Sequence, residues 1–314
     1  MNQHVNQAAA RIKPSTVPVV SFAPVVLAAP ERGDDLHLRV SAPAAGDNLP
    51  VIIFSHGNGQ SLYGYGPLAN HWTAQGFVVI QPTHLDSRML GLAQDDPRRP
   101  DIWHFREQDL VHILDGLDEI EQSVAQVRGR IDRSRIAVAG HSWGAQTASM
   151  LLGATHTDPR DGSTVDLADA RIKAGVLFAI PGTGGANLSE FAAKNFPFMD
   201  PDFSAMKTPA LIVAGDNDHG RMTTRGPDWW TEAYELSPGE KALFTVFGGE
   251  HSLGGIAGYE AAETTDESSA RLAAVQELST AYLRSRLLGD DQAWAQALAA
   301  ATEGPNAQGR VDRK

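Results

Sequence analysis

The 314-residue chain contains no cysteine, so disulfide scaffolds, thiolate metal centres and cysteine nucleophiles are excluded, and any chemistry uses oxygen or nitrogen. It also lacks the run of about 18 apolar residues that a bilayer-spanning helix needs. Positive charge is scarce. The 26 Lys and Arg against 38 Asp and Glu leave a formal net charge of −12, which repels nucleic-acid phosphates and anionic membrane surfaces. Neither a nucleic-acid partner nor a membrane span is therefore expected. The opening stretch MNQHVNQAAARIKPSTVP has no basic start followed by an apolar core, so it reads as a flexible leader over residues 1–18 of a cytoplasmic protein. The polar segment 301–314 reads as a disordered tail, too poor in apolar side chains to recover its ordering entropy.

Between these ends, short β-branched runs alternate with longer helical periods, which predicts one α/β domain over 19–300 with a mostly parallel sheet of about eight strands. The runs at 51–55, 77–80, 136–139, 174–180, 210–214 and 242–247 are almost wholly apolar, as strands covered on both faces require. Stretches 19–28 and 37–41 read as a leading hairpin or meander. Helices are expected at 67–75, 105–127, 145–152, 228–236 and 267–288. In the second, Leu110, Ile113, Leu114, Leu117 and Ile120 recur at helical spacing.

The segment Gly140-His141-Ser142-Trp143-Gly144 follows a strand and opens a helix. A serine projected from so sharp a turn needs small flanking residues, which the two glycines supply. A hydroxyl is a poor nucleophile near neutral pH, so Ser142 needs a general base, and the base an orienting carboxylate. His251, in the glycine-rich segment after the 242–247 strand, is the candidate base. No carboxylate lies between Arg171 and Ser189, so the acid is sought after the next strand. Asp218 is preferred there to Asp216, which sits directly after the strand's glycine, where it tends to bond to a turn. The developing oxyanion needs two donors. The backbone N–H groups of Trp143 and of Asn58, in the loop His56-Gly57-Asn58-Gly59, are the candidates. His56 and His141 read as braces for that loop and for the nucleophile turn, with no metal site.

Across about residues 51–251, the phrases SHGNG, ANHWTAQGFVVIQPTHLD, RIAVAGHSWG and GGEHS resemble the α/β-hydrolase superfamily, and more closely the dienelactone-hydrolase-like and platelet-activating-factor-acetylhydrolase-like esterases. The resemblance implies an α/β-hydrolase fold and a cofactor-free serine carboxylesterase acting on a small-molecule ester, with Ser142 as nucleophile, His251 as base, and Asn58 and Trp143 as oxyanion donors. Two departures stand out. Dienelactone hydrolases use a cysteine nucleophile, and the acetylhydrolases take their acid from the strand before Pro181, where this chain has none. Polyester hydrolases and chlorophyllase-like enzymes share much of the layout.

Loops 83–104, 181–209 and 219–230 are candidate lids and pocket walls, with Trp103, Phe198 and Trp229 as candidate substrate-binding residues beside Trp143. Arg88, Arg98, Arg99 and Arg106 are expected in a solvated charge cluster with Asp95, Asp96 and Asp101. The same triad would equally serve a lactonase, thioesterase, amidase, perhydrolase or polyester hydrolase. A noncatalytic binding protein on this fold and a metal-dependent hydrolase are the rival classes.

Overall fold

The computed structural model describes residues 17–261 and 265–314; the leader expected over 1–18 lies outside them except for its last two residues. In chain order the strands are β1 (Val19–Leu27), β2 (Leu36–Pro43), β3 (Leu49–Ser55), β4 (Val78–Pro82), β5 (Ile131–His141), β6 (Thr155–Thr157), β7 (Thr164–Asp166), β8 (Ile172–Phe178), β9 (Ala210–Gly215), β10 (Lys241–Val246) and β11 (Gly309–Arg313). The helices are α1 (Gly66–Ala74), α2 (Ile102–Asp115), α3 (Leu117–Ser123), α4 (Trp143–Leu151), α5 (Glu190–Asn195), α6 (Glu232–Leu236), α7 (Ser269–Leu288) and α8 (Asp291–Thr302).

Nine strands form one sheet in the order β1-β2-β4-β3-β5-β8-β9-β10-β11, and β6 and β7 make a small separate pair. The six strands from β4 through β10 run parallel to their neighbours, while β1, β2 and β11 join antiparallel at the two edges. This is the α/β-hydrolase architecture expected from the sequence. Every residue of β3, β4, β9 and β10 is buried, as helices on both faces of a sheet require. Those helices form two packed groups, α1 with α7 and α8, and α2 with α3 and α4. The register places the C-terminal ends of β3, β5, β9 and β10 along one edge, where open parallel sheets bind ligands.

Three expectations are corrected. Segment 301–314 is not a disordered tail: from Gly309 to Arg313 it pairs antiparallel with β10, Val246 opposite Gly309 and Ala242 opposite Arg313. Without it β10 would be an open edge with a row of unpaired N–H and C=O groups. The polar composition reflects a solvent-facing edge strand, whose backbone bonding is indifferent to its side chains. The single helix expected over 105–127 is two, broken at Gly116 and ended at Ser123. Gly116 leaves the helical backbone with φ −87° and ψ 8°, and a Cβ there would press on the Leu27 side chain of β1. The expected 228–236 helix begins as a 3-10 turn over Pro227–Thr231 and becomes α-helical only in α6. Helix α7 follows its local signals: Ser268 caps the Arg271 N–H, and Gly289 ends the helix in the left-handed region. Among the described residues no helix is long and apolar enough to cross a membrane.

Candidate active site

Strand β5 runs directly into Ser142, which has φ 55° and ψ −124° and precedes the first turn of α4. Such a backbone is strained for any residue with a Cβ and persists only where its surroundings fix it. The surroundings here are tight. A Cβ on Gly140 would drive into the carbonyl of Gly144, and a Cβ on Gly144 would drive into the carbonyls of Ser55 and His56. The Ser142 N–H donates to Phe178 O at 2.9 Å, and its carbonyl accepts from Ala145 and Gln146. Five described non-glycine residues have positive φ, and besides Ser142 they include Tyr65, Ala179 and Leu253. These three lie within two residues of the site's partners or hydrogen-bond to them, so the strain gathers at this edge.

The loops after β9 and β10 meet closely enough that a Cβ on Gly215 would strike Gly249 O, and Asn217 N–H donates to that carbonyl at 2.9 Å. Asp216 accepts the Gly248 N–H at 2.6 Å, which leaves it holding a turn. Asp218, only 1% exposed, accepts from Gly220 N–H at 3.1 Å with one oxygen and faces His251 Nδ1 at 2.7 Å with the other. A carboxylate at that distance keeps the proton on Nδ1 and leaves Nε2 as the basic nitrogen. The Trp230 ring lies 4.8 Å from the imidazole of His251, and its N–H donates to Asp218 O at 3.0 Å. Acid and imidazole are thereby held by one indole.

His251 is tied to the turn at Ser142 through His141. The two rings are 4.8 Å apart, and His141 Nε2 donates to the His251 carbonyl at 2.8 Å. Burial, and then the neighbouring His251, push His141 down to about 3, so it is neutral, and its Nδ1 lies in hydrogen-bond contact at 2.8 Å with the Tyr65 hydroxyl, which also bonds Gln60 Oε1. Tyr65 in turn accepts the Gly57 N–H at 3.0 Å. One chain of hydrogen bonds thus runs from the β3 loop through the residue before Ser142 to the backbone of His251.

Trp143 opens α4, and the first N–H groups of a helix have no carbonyl one turn earlier to bond. Asn58 lies exposed at the tip of the loop after β3. Among the described residues no hydrogen bond engages either backbone N–H. His56 braces this loop as expected: Nδ1 donates to Gly57 O at 2.7 Å and Nε2 accepts the His84 N–H at 3.0 Å. Burial, reinforced by Arg106, pushes it down to about 4. Among the described residues no group of three or more His, Asp or Glu side chains could hold a metal ion.

The arginine cluster is corrected. Arg98 does pair with Asp96 at 2.9 Å, but Arg106 is fully buried and bonded to Asp86 at 2.6 Å. The sequence carried a signal for this, because Arg106 lies four residues before Leu110 on the same inward stripe of α2. Tyr65 and Asp86 were also missed; a loop tyrosine and a loop aspartate show no periodicity that would reveal burial.

Of the expected pocket walls, Trp103 and Phe198 gather with Trp143 in a small apolar cluster separate from the main core. Phe198 lies 5.1 Å from Trp143 and 6.2 Å from Trp103, and Phe196, also missed, meets Trp143 edge-on at 5.6 Å. Trp229 is not brought to them. It is fully enclosed in the main core, donating to Thr183 O and packing edge-on against Trp230, so it offers a ligand no surface, and neither does Trp103, which is 1% exposed. Loops 181–209 and 219–230 are linked through a bridge between Leu188 and Thr223.

Residues 21–166, just under half of the chain, match the chlorophyllase family. The match runs from β1 through the Asn58 loop, Ser142 and α4, and stops before Asp218 and His251. No curated protein matches the chain. The matched family is one of carboxylic ester hydrolases, and by fold and this match the chain is an ester-hydrolysing enzyme of the α/β-hydrolase type.

Proposed function

We propose that the chain hydrolyses carboxylic esters through an acyl-enzyme on Ser142, with His251 as general base, Asp218 as its orienting acid, and the N–H groups of Asn58 and Trp143 as oxyanion donors. The observation that carries this reading is the 2.7 Å contact between His251 Nδ1 and a buried Asp218, in a loop whose carbonyl is held by the residue next to Ser142. His251 Nε2 takes the Ser142 proton as Oγ bonds to the ester carbon. The oxyanion collapses, the alkoxide leaves with the proton from His251, and water repeats the sequence to release the acid. No cofactor enters this scheme.

The apolar part of the substrate is assigned to the largely buried aromatic cluster of Trp143, Phe196 and Phe198 that packs around the residue after Ser142. The chlorophyllase match supports an ester with a bulky apolar portion, while SHGNG, RIAVAGHSWG and GGEHS support kinship with the dienelactone-hydrolase-like and platelet-activating-factor-acetylhydrolase-like esterases. Nitrophenyl esters graded from acetate to palmitate, assayed beside lactones, thioesters, amides and aryl diesters, test the substrate class. Turnover of nitrophenyl esters is expected in the wild type and absent in Ser142→Ala; equal rates in the two would contradict the reading.

A further inference from the structure

We propose that the buried Arg106–Asp86 ion pair is a clamp that positions both oxyanion donors, a role that rests on the serine-esterase reading above. An oxyanion hole lowers a barrier only if its N–H groups are fixed before charge develops. The loop carrying Asn58 has glycine on both sides of it, at 57 and 59, and such a segment is not stiff by itself. His56 and Tyr65 hold Gly57, and the rest of the stiffness comes from outside the loop. Arg106 Nη2 donates to the His56 carbonyl and to Ser55 Oγ, and Asp86 Oδ2 accepts the Gly59 N–H at 2.7 Å. Asn58 is thus held from the carbonyl two residues before it and from the N–H just after it, by the two halves of one ion pair whose own contact is 2.6 Å.

The same guanidinium reaches the second donor. Its Nε donates to Thr147 Oγ1 at 3.3 Å, and that hydroxyl donates to Trp143 O at 3.0 Å. Its carbon also sits 4.6 Å from the centre of the Trp143 ring. A planar fork can bond in several directions at once, whereas an ammonium is a single point of charge. Burying two charges is costly beside an apolar packing of equal volume, so the pair's role lies in orientation. Arg106 and Asp86 are positioning residues that act through the backbone of Asn58 and Trp143.

The test uses the full chain with a nitrophenyl ester. Arg106→Lys keeps the charge and loses the fork; Thr147→Val keeps the shape and loses only the hydroxyl bridge, so it reports even if the first variant does not fold. Expected are a fall in kcat of about 10–100-fold for R106K and a few-fold for T147V, each with KM within about threefold of wild type, since the loss is confined to the transition state. The double variant should be no slower than R106K alone, because both act through one linkage. The downfield proton resonance of the His251–Asp218 hydrogen bond should persist in both. Unchanged kcat in both variants, a loss that appears in KM, or a loss of that resonance would overturn the clamp. Wild-type protein that fails to take a fluorophosphonate on Ser142 would instead defeat the esterase reading itself, so the two failures are distinguishable.

Discussion

The imidazole of His251 meets the carboxylate of Asp218 at 2.7 Å, while Asp216, two residues earlier, is bonded to the Gly248 N–H and turned to a different task. On the proposed mechanism the two aspartates differ sharply in consequence. Asp218→Asn should lower kcat by about 10³–10⁴-fold, because an amide no longer fixes the reactive tautomer. Asp216→Asn should stay within about tenfold of wild type. Steady-state kinetics of both variants checks this, and comparable rates in the two would refute the assignment.

Gly144 sets how closely the start of α4 approaches the end of β3, since a side chain there would enter the carbonyls of Ser55 and His56. Gly144→Ala is expected to destabilise the fold by about 3 kcal/mol, at the upper end of overpacking costs, and to abolish turnover by spreading the two oxyanion donors. Urea unfolding of the variant beside wild type gives the first quantity directly.

Acid should loosen the fold through its buried imidazoles. Buried His56 is held down to about 4 and His141 to about 3, and His84 also lies well below its ordinary value, in each case chiefly through burial. Their stabilising contribution is complete above the unfolded value of about 6.5 and is lost as pH falls toward the folded values, at roughly 1.4 kcal/mol per pH unit for each group. Asp109 works in the opposite sense. Burial, only partly offset by Arg32 and Arg106, raises it to about 7, so the folded state gains a proton there and cancels about one histidine. Glu107 and His156, both raised, also oppose the loss, and the net expectation is a lower stability at pH 5 than at pH 7; denaturant midpoints at the two pH values would show it, and equal midpoints would contradict it.

Ending the chain after Glu303 would remove β11 and reopen the edge of β10. Thermal unfolding should then shift down by several degrees and the protein should become prone to association, as exposed strand edges are. An unchanged midpoint would mean that the pairing of Val246 with Gly309 through to Ala242 with Arg313 contributes little.

The central strands were legible because burial on both faces leaves an uninterrupted apolar run, and Ser142 because its turn demands glycine at fixed offsets. The Asp218–His251 pairing could be approached from chain order and strand ends. What composition concealed was structure stabilised by backbone or by charge pairing: β11 reads as polar tail because its ladder bonds use no side chains, and Arg106 reads as solvated because its partner Asp86 lies 20 residues away in an irregular loop. Trp229 was misplaced for a related reason, since an indole in a loop gives no sign of whether it faces a pocket or backs another indole.

Every step of the proposed chemistry begins at Ser142 as an activated nucleophile. Incubating the full chain with a fluorophosphonate and mapping the product by peptide mass spectrometry tests this. One covalent adduct on Ser142 is predicted, formed rapidly in wild type and slowed severely in His251→Ala. No adduct, or an adduct at another serine with Ser142 unmodified, would contradict the mechanism.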